Sequence, residues 1–400
     1  MSGKPISASD EIAMRERITQ LKQYGMIIAL AMIYLIFAVL SDYKNVAPMN
    51  VNNLIMQNSY VIVLALGMLL CCLTGNVDLS VGSVVAFTGA VTAIMVVDFQ
   101  APVPLAFLAA LVCGALAGAW QGFFISRLGV SPFIASLANM LIFRGLTMVV
   151  LHGQTKGPLP KEFTAIGAGY MPQFFVIFGE TKVEMLSLTA GVALSALLVF
   201  LEIRSLRTRA KHVVPLPPLW TTVLKLLGFI GIINFFTVKL AMYMGLPMVL
   251  LIVLALVAFY GFVTTRTVPG RSIYAVGGNR KAAALSGIKV DKVMFWIYVN
   301  MGLLAGLAGV ILTARNASAT PKAGDMFEMD AIAACYIGGT AVAGGAGTVT
   351  GAVVGALIMG VLNNGMSLLG WSVDVQRVVK GLVLLAAVSA DLYLKNKKRS

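Results

Sequence analysis

Thr265–Lys292, TRTVPGRSIYAVGGNRKAAALSGIKVDK, is the longest polar interruption in the second half of a 400-residue chain, and it lies between two apolar runs. It carries Arg266, Arg271, Arg280, Lys281, Lys289 and Lys292 against a single acid, Asp291. Basic loops of this kind stay on the cytoplasmic side of a membrane protein. Within it, Asn279–Ser286 (NRKAAALS) predicts a short helix: Asn279 suits an N-cap, the alanines favour helix and Gly287 can end it. A short amphipathic helix on a cytoplasmic loop suits docking to a partner and not crossing a bilayer.

The rest of the chain explains why that loop stands out. It is 59% hydrophobic and 12% charged, with a mean hydropathy of +0.90. Soluble domains carry about a quarter charged residues, so the fold class is all-α, a polytopic integral membrane protein in contact with lipid. The net charge of +14 does not point to nucleic acid, because the charges lie in short loops between apolar runs. Cys71, Cys72, Cys113 and Cys335 sit in apolar segments without metal-ligand spacing, and His152 and His212 are far apart. They predict no metal site and no cofactor, and the cysteines read as small packing residues.

Candidate spans are 24–40, 54–74, 81–97, 103–125, 132–150, 186–203, 219–240, 247–264, 293–314, 331–345, 351–369 and 377–394. The first is too long for a signal-peptide core and is expected to stay in the membrane. Most suit a bilayer that needs about 20 residues per helix. The 331–345 run is short and glycine-rich, and 219–240 holds Lys225 and Lys239 near its ends, where they can snorkel. Parity allows ten or twelve crossings, with one short pair folding back as a re-entrant or broken element. Placing 1–23, 75–80, 126–131, 204–218, 265–292, 346–350 and 395–400 inside gives those loops 19 Lys and Arg, against 6 outside. That asymmetry predicts both termini in the cytoplasm. The expected layout is an N-terminal tail at 1–23, a transmembrane domain at 24–394 and a basic tail at 395–400. The long external loop 151–185 is either a partner surface or a solvated connector.

Gly114, Gly118 and Gly122 recur every four residues, as do Gly302 and Gly306, and Gly351 and Gly355. This spacing lets helices approach closely, and packing within one subunit is the simplest use of it. GNVDLSVG, bracketed by Gly75 and Gly82, and GGAGTVTG, bracketed by Gly344 and Gly351, share one separation and suggest a pseudo-repeat.

Three sets of polar residues lie within apolar surroundings. Asp78, flanked by Asn76 and Ser80, either holds a gate or caps the helix that follows. Arg144 either pairs with Asp78, faces a pathway or reaches headgroups at the external end. Asn300, Asn363 and Asn364 either join helices or line a route for a neutral polar solute. The chain has no GxxxxGK[ST], no G-x-S-x-G and no HExxH, so neither a P-loop nor a catalytic constellation supports an enzyme.

LTGNVDLSVGSVVAFTG, YAVGGNRKAAALSGIKV and DAIAACYIGGTAVAGGAGTVTGAVVGALIMGVLNNGMSLLG together resemble the permease subunits of bacterial ABC importers for monosaccharides such as ribose, xylose, arabinose and galactose. The resemblance runs from about Met49 to Val388 without Lys211–Leu246. The extra run at 219–240 is most similar to the xylose-type and multiple-monosaccharide branch. The resemblance implies an inner-membrane pathway built from two permease copies, driven by ABC ATPase subunits inside and fed by a sugar-binding protein outside. It implies that Gly277, Gly278, Asn279, Arg280, Lys281, Ala282, Ala283 and Gly287 form the ATPase-coupling loop. Asp78 and Ser80 carry over as signature positions. Asn76 and Val77 stand where relatives often have glycine and isoleucine, and the basic Arg280–Lys281 pair calls for an acidic cleft on the ATPase. In that scheme the coupling helix moves with the ATPase, and the spans around 75–82 and 344–351 reopen to the other side. The alternative is an ion-coupled secondary transporter, for which Asp78 is the one serious candidate, because Glu202, Asp374 and Asp391 sit near span ends.

Overall fold

Proline and the polar breaks set the helix starts. The computed structural model describes residues 25–178, 181–211 and 219–396. Tail residues 1–23 and 397–400, and loop residues 212–218, lie outside them. A first helix, α1 (Gly25–Leu40), leads through a short 3-10 turn to α2 (Pro48–Leu73), with Pro48 in the first turn, where its missing N–H costs nothing. Then follow α3 (Val81–Val97), α4 (Val103–Ser126) and α5 (Pro132–Val150). The connection from α5 to α7 holds α6 (Lys161–Ala168) and an antiparallel hairpin, β1 (Phe175–Phe178) with β2 (Thr181–Glu184). The second half runs α7 (Met185–Lys211), α8 (Leu219–Ala241), α9 (Met248–Arg266), α10 (Val268–Gly278), α11 (Arg280–Leu285) and α12 (Val290–Asn316). It ends with α13 (Phe327–Ile337), α14 (Val349–Leu368) and α15 (Val373–Asn396). Among the described residues, eight helices are long and apolar enough to cross a membrane. The protein is an all-α polytopic membrane protein.

Helix α2 is the axis, packed by α12, α13, α14 and α9. Its second half is buried throughout from Leu64 to Leu73, and Gly67 within it packs closely against the Met301 side chain of α12. The four-residue glycine ladders lock α4 to α12. A Cβ on Gly114 would meet the Gly302 carbonyl, one on Gly118 the Tyr298 carbonyl, and one on Gly306 would lie 2.5 Å from the Ala110 oxygen. Gly351 and Gly355 of α14 seat in the same way on Gly338 and Ala334 at the end of α13. Both ladders work within one chain.

The short run at 331–345 is a half-helix. Eleven residues at 1.5 Å each give α13 about 16 Å, roughly half of a bilayer core. It lies beside the last half of α2: Tyr60 stacks on Phe327 at 4.5 Å, and the Cys335 thiol reaches the Ala65 carbonyl at 3.5 Å. Gly82, in the first turn of α3, meets Gly324 and Glu328 at the start of α13. Helix α3 therefore begins a half-helix length above the Leu73 end of α2. The expected loop at 75–80 is thus corrected: only its Leu73–Gly75 end lies at the helix ends, and the rest climbs back among the helices. Such non-helical backbone is tolerated at depth because protein surrounds it. Residues 317–326 make the matching descent before α13.

Three further elements differ from expectation. The interruption at 265–292 contains α10 as well as the expected short helix, with Pro269 in its first turn and the Thr267 hydroxyl accepting from Gly270 N at 3.3 Å. The expected loop 204–218 is helical through Lys211, because α7 continues. The loop 151–185, expected outside, contains α6, the hairpin and a bridge from Lys156 to Ala319.

Candidate functional site: a short basic helix seated on two broken segments

The expected short helix is present as α11. The Asn279 side chain accepts from Ala282 N at 3.0 Å, and Gly287 follows with φ of 83°. Arg280, Lys281 and Ala282 are exposed, while Ala283 is buried and anchors the helix to the core. Arg280 makes only a loose ion pair to Asp291 at 4.0 Å, with both partners exposed, so its charge is available to a partner.

The seat beneath α11 joins the two broken segments. Gly345 N donates to the Leu73 carbonyl at 2.8 Å, tying the α13–α14 loop to the end of α2. Gly277, at the end of α10, lies against that bond: a Cβ there would strike the Leu73 carbonyl and lie 2.7 Å from Gly345 N. The Tyr274 hydroxyl donates to the Gly347 carbonyl at 2.7 Å. Gly344 and Gly345 adopt φ of 83° and 75°, the left-handed turn that the crossing requires. Gly278 faces open space. Backbone contacts thus connect the basic helix to the loop that starts each break.

Above the seat, a polar knot holds the first break. Asp78 Oδ1 accepts from Ser80 N at 2.9 Å and from the Ser80 hydroxyl at 2.7 Å. Ser80 Oγ also lies 2.8 Å from Gln121 Oε1, and Asn139 Nδ2 donates to both Ser80 Oγ, at 3.1 Å, and Gln121 Oε1, at 2.7 Å. All four residues are buried, and they knit α3, α4 and α5 together. Gln121 Nε2 and Asn139 Oδ1 have no protein partner. Asn76 folds over locally, donating to Thr74.

Arg144 does not pair with Asp78, nor does it reach outward. Its Nη1 donates to the carbonyls of Pro321 and Ala323 at 3.2 and 2.7 Å, so it holds the descent before α13. The three asparagines join helices. Asn300 accepts from the Tyr260 hydroxyl, Asn364 exchanges amide bonds with Asn50 at 2.9 and 3.0 Å, and Asn363 donates to Asp330 at 3.3 Å. Lys380 of α15 completes that last group at 3.0 Å from Asp330. Gln121 and Asn139 are the site residues that sequence reasoning missed. The only signal was an amide beside Gly122 and another mid-run in α5, which also describes ordinary helix glue.

A buried helical bundle with two broken segments, and an exposed basic helix on the α9–α12 connection that touches both through Gly277, defines a multi-pass membrane transport component. Residues 50–388 match the family model described as the permease component of the branched-chain amino acid transport system, and the chain belongs to that family. Among its relatives, the xylose transport system permease protein of Escherichia coli K12 is 37% identical over 381 residues, 94% of this chain and 93% of that protein. The Haemophilus influenzae protein of the same name is also 37% identical, over 95% and 98%. The ribose import permease protein of Bacillus subtilis is 36% identical over 93% of each chain. No solved structure matches the chain.

Proposed function

We propose that this chain is the permease subunit of a bacterial inner-membrane ABC importer for a monosaccharide, a pentose such as xylose being the first to test. The chain supplies the pathway and no catalysis. ATP is hydrolysed by a separate ATPase subunit that receives α11 through Asn279–Ala283, with Arg280 and Lys281 facing an acidic cleft. A second copy completes the pathway, and an extracytoplasmic sugar-binding protein delivers the solute. Both termini lie in the cytoplasm, flanking a transmembrane domain at 24–394.

One observation carries this reading: Gly277 and the Gly345–Leu73 bond join the docking helix to the start of both breaks. A force applied at α11 therefore reaches residues 74–80 and 338–348 without passing through side chains that can flex. Asp78, Ser80, Asn76 and Arg144 then act as holders of the moving segments, and Asn300, Asn363 and Asn364 as the joints around them. Replacing Arg280 and Lys281 with glutamate is expected to abolish sugar uptake while the chain still inserts and the ATPase still hydrolyses ATP. Uptake unchanged in that double variant would remove the docking assignment.

The buried Asp78, bonded to a hydroxyl and without a cation beside it, also favours ion coupling as a second reading. The two separate under an ionophore. Uptake that survives collapse of the ion gradient but stops when ATP is exhausted supports the importer, and the reverse supports the ion-coupled transporter.

A further inference from the structure

The loop that carries α11 borders a groove that takes in Arg280 and Lys281 and extends past them to residues the docking role does not use. Between the end of α4, α11 and the start of α12 lies an open groove of about 1370 Å³. Arg127, Arg280, Lys281, Lys289 and Lys292 line it against one acid, Asp291. Its other wall is apolar, made by Phe123, Phe295 and Trp296. Phe123 and Trp296 are 47% and 64% exposed, and Trp120 one turn along α4 is 54% exposed. These side chains lie on the exposed faces of helices long and apolar enough to cross a membrane.

We propose that this groove binds an anionic phospholipid of the inner leaflet, with the headgroup phosphate among the basic residues and the acyl chains along α4 and α12. Three observations select this occupant. The charge complement is strongly positive, which an anion answers. Aromatic rings flank the cations at helix ends, the arrangement found where a membrane meets water. From Trp296 and Phe123 the apolar wall continues down the exposed flank of α4, through Trp120, Leu116, Val112 and Leu108, where a soluble subunit cannot follow but acyl chains can. Arg127 and Lys292 are the distinguishing pair, since Arg127 caps the end of α4, Lys292 lies in the first turn of α12, and both stand apart from α11. The site rests on the cytoplasmic placement of α10–α12 proposed above.

The test is native mass spectrometry of the full chain in detergent, titrated with phosphatidylglycerol or phosphatidylcholine. Phosphatidylglycerol is expected to be retained preferentially. Arg127→Gln with Lys292→Gln should weaken that retention by about fivefold for each charge removed. Lys182→Gln, on the external hairpin, should leave it unchanged and controls for general charge loss. Equal retention of the two lipids, or full retention by the double variant, would overturn the site. So would displacement of the lipid by inorganic phosphate alone, which would mark a free-anion pocket. Loss of a co-purified ATPase subunit in the double variant, with lipid preference intact, would assign the groove to protein and overturn it as well. Placement is read separately, by labelling Leu285→Cys with an impermeant reagent. Labelling only from outside removes the cytoplasmic placement, whereas labelling from inside with no lipid preference removes the lipid site alone.

Discussion

Gly277 and Gly278 are adjacent, and a methyl group distinguishes them sharply. At Gly277 the added carbon meets the Leu73 carbonyl and the Gly345 amide, both backbone atoms that cannot turn away. At Gly278 it meets nothing within 4 Å, and the residue sits at an ordinary helix end. Forcing a methyl into packed backbone costs about 1–3 kcal/mol. Gly277→Ala is therefore expected to lower thermal stability in detergent and to cut uptake sharply, because the seam must open to admit it. Gly278→Ala should match the parent in both measurements. Equal behaviour of the two variants would mean that the seam transmits nothing. The polar residues teach a complementary lesson. Asp78 was legible as unusual from its apolar flanks, and its bond to Ser80 follows from a spacing of two residues. Its wider partners were not legible, since Gln121 and Asn139 come from two other helices and only the packing brings them together. Arg144 misled for the same reason: a guanidinium in an apolar run needs acceptors, and here backbone carbonyls of a descending loop supply them.

Among the elements, those with a local cause were the easiest to read. The α11 helix follows from Asn279 and Gly287 alone, whereas α13 is shorter than its apolar run because Gly338 and Gly339 end it early. The hairpin and α6 left no apolar periodicity to read, and their stability comes from contacts with distant chain. The junction of β2 with α7, by contrast, is held by a local cap. Glu184 caps α7, its carboxylate accepting from Leu186 N and Ser187 N, each at 2.7 Å, and from the Ser187 hydroxyl. Burial alone would raise its pKa, but the donors from Ser187, Leu186 and Phe174 together outweigh it and hold the carboxyl below its ordinary value. A group depressed in the folded state stabilises above its unfolded pKa, about 4.3 for glutamate, and loses that contribution as pH falls through the folded value. The junction should therefore be protected at neutral pH and loosen below about pH 4. Hydrogen exchange at residues 182–188 across that range measures it. Glu184→Gln should exchange faster at pH 7 and lose the dependence; an unchanged profile would show that the cap contributes nothing.

At the scale of the molecule, burial is distributed very unevenly. The most apolar window of α2 is 89% buried, and those of α12 and α14 are each 72% buried, but those of α7 and α8 are 11%. The first three, with the breaks between them, form a protein-lined centre, and the α7–α8 pair leans on its edge, held to itself by Lys225–Glu202 and Asn234–Ser195. Amino-acid composition cannot distinguish these classes, because leucine on α8 and leucine on α2 are equally apolar. The distinction lies in what surrounds each side chain, and it makes a prediction that water-based reasoning would miss. Lipid tails are as apolar as a protein core, so burying leucine in a membrane protein gains little from leaving water. What remains is the close packing lost when a cavity opens. Leu64, fully buried on α2, should cost about 2 kcal/mol as alanine, near the lower end of the range for soluble cores. Leu224, 64% exposed on α8, should cost less than about 0.5 kcal/mol, because lipid refills the space. Thermal unfolding of Leu64→Ala and Leu224→Ala in lipid nanodiscs gives the comparison. Equal losses at the two positions would mean that α8 is packed by protein on the face now assigned to lipid, and that a second copy or another subunit covers it.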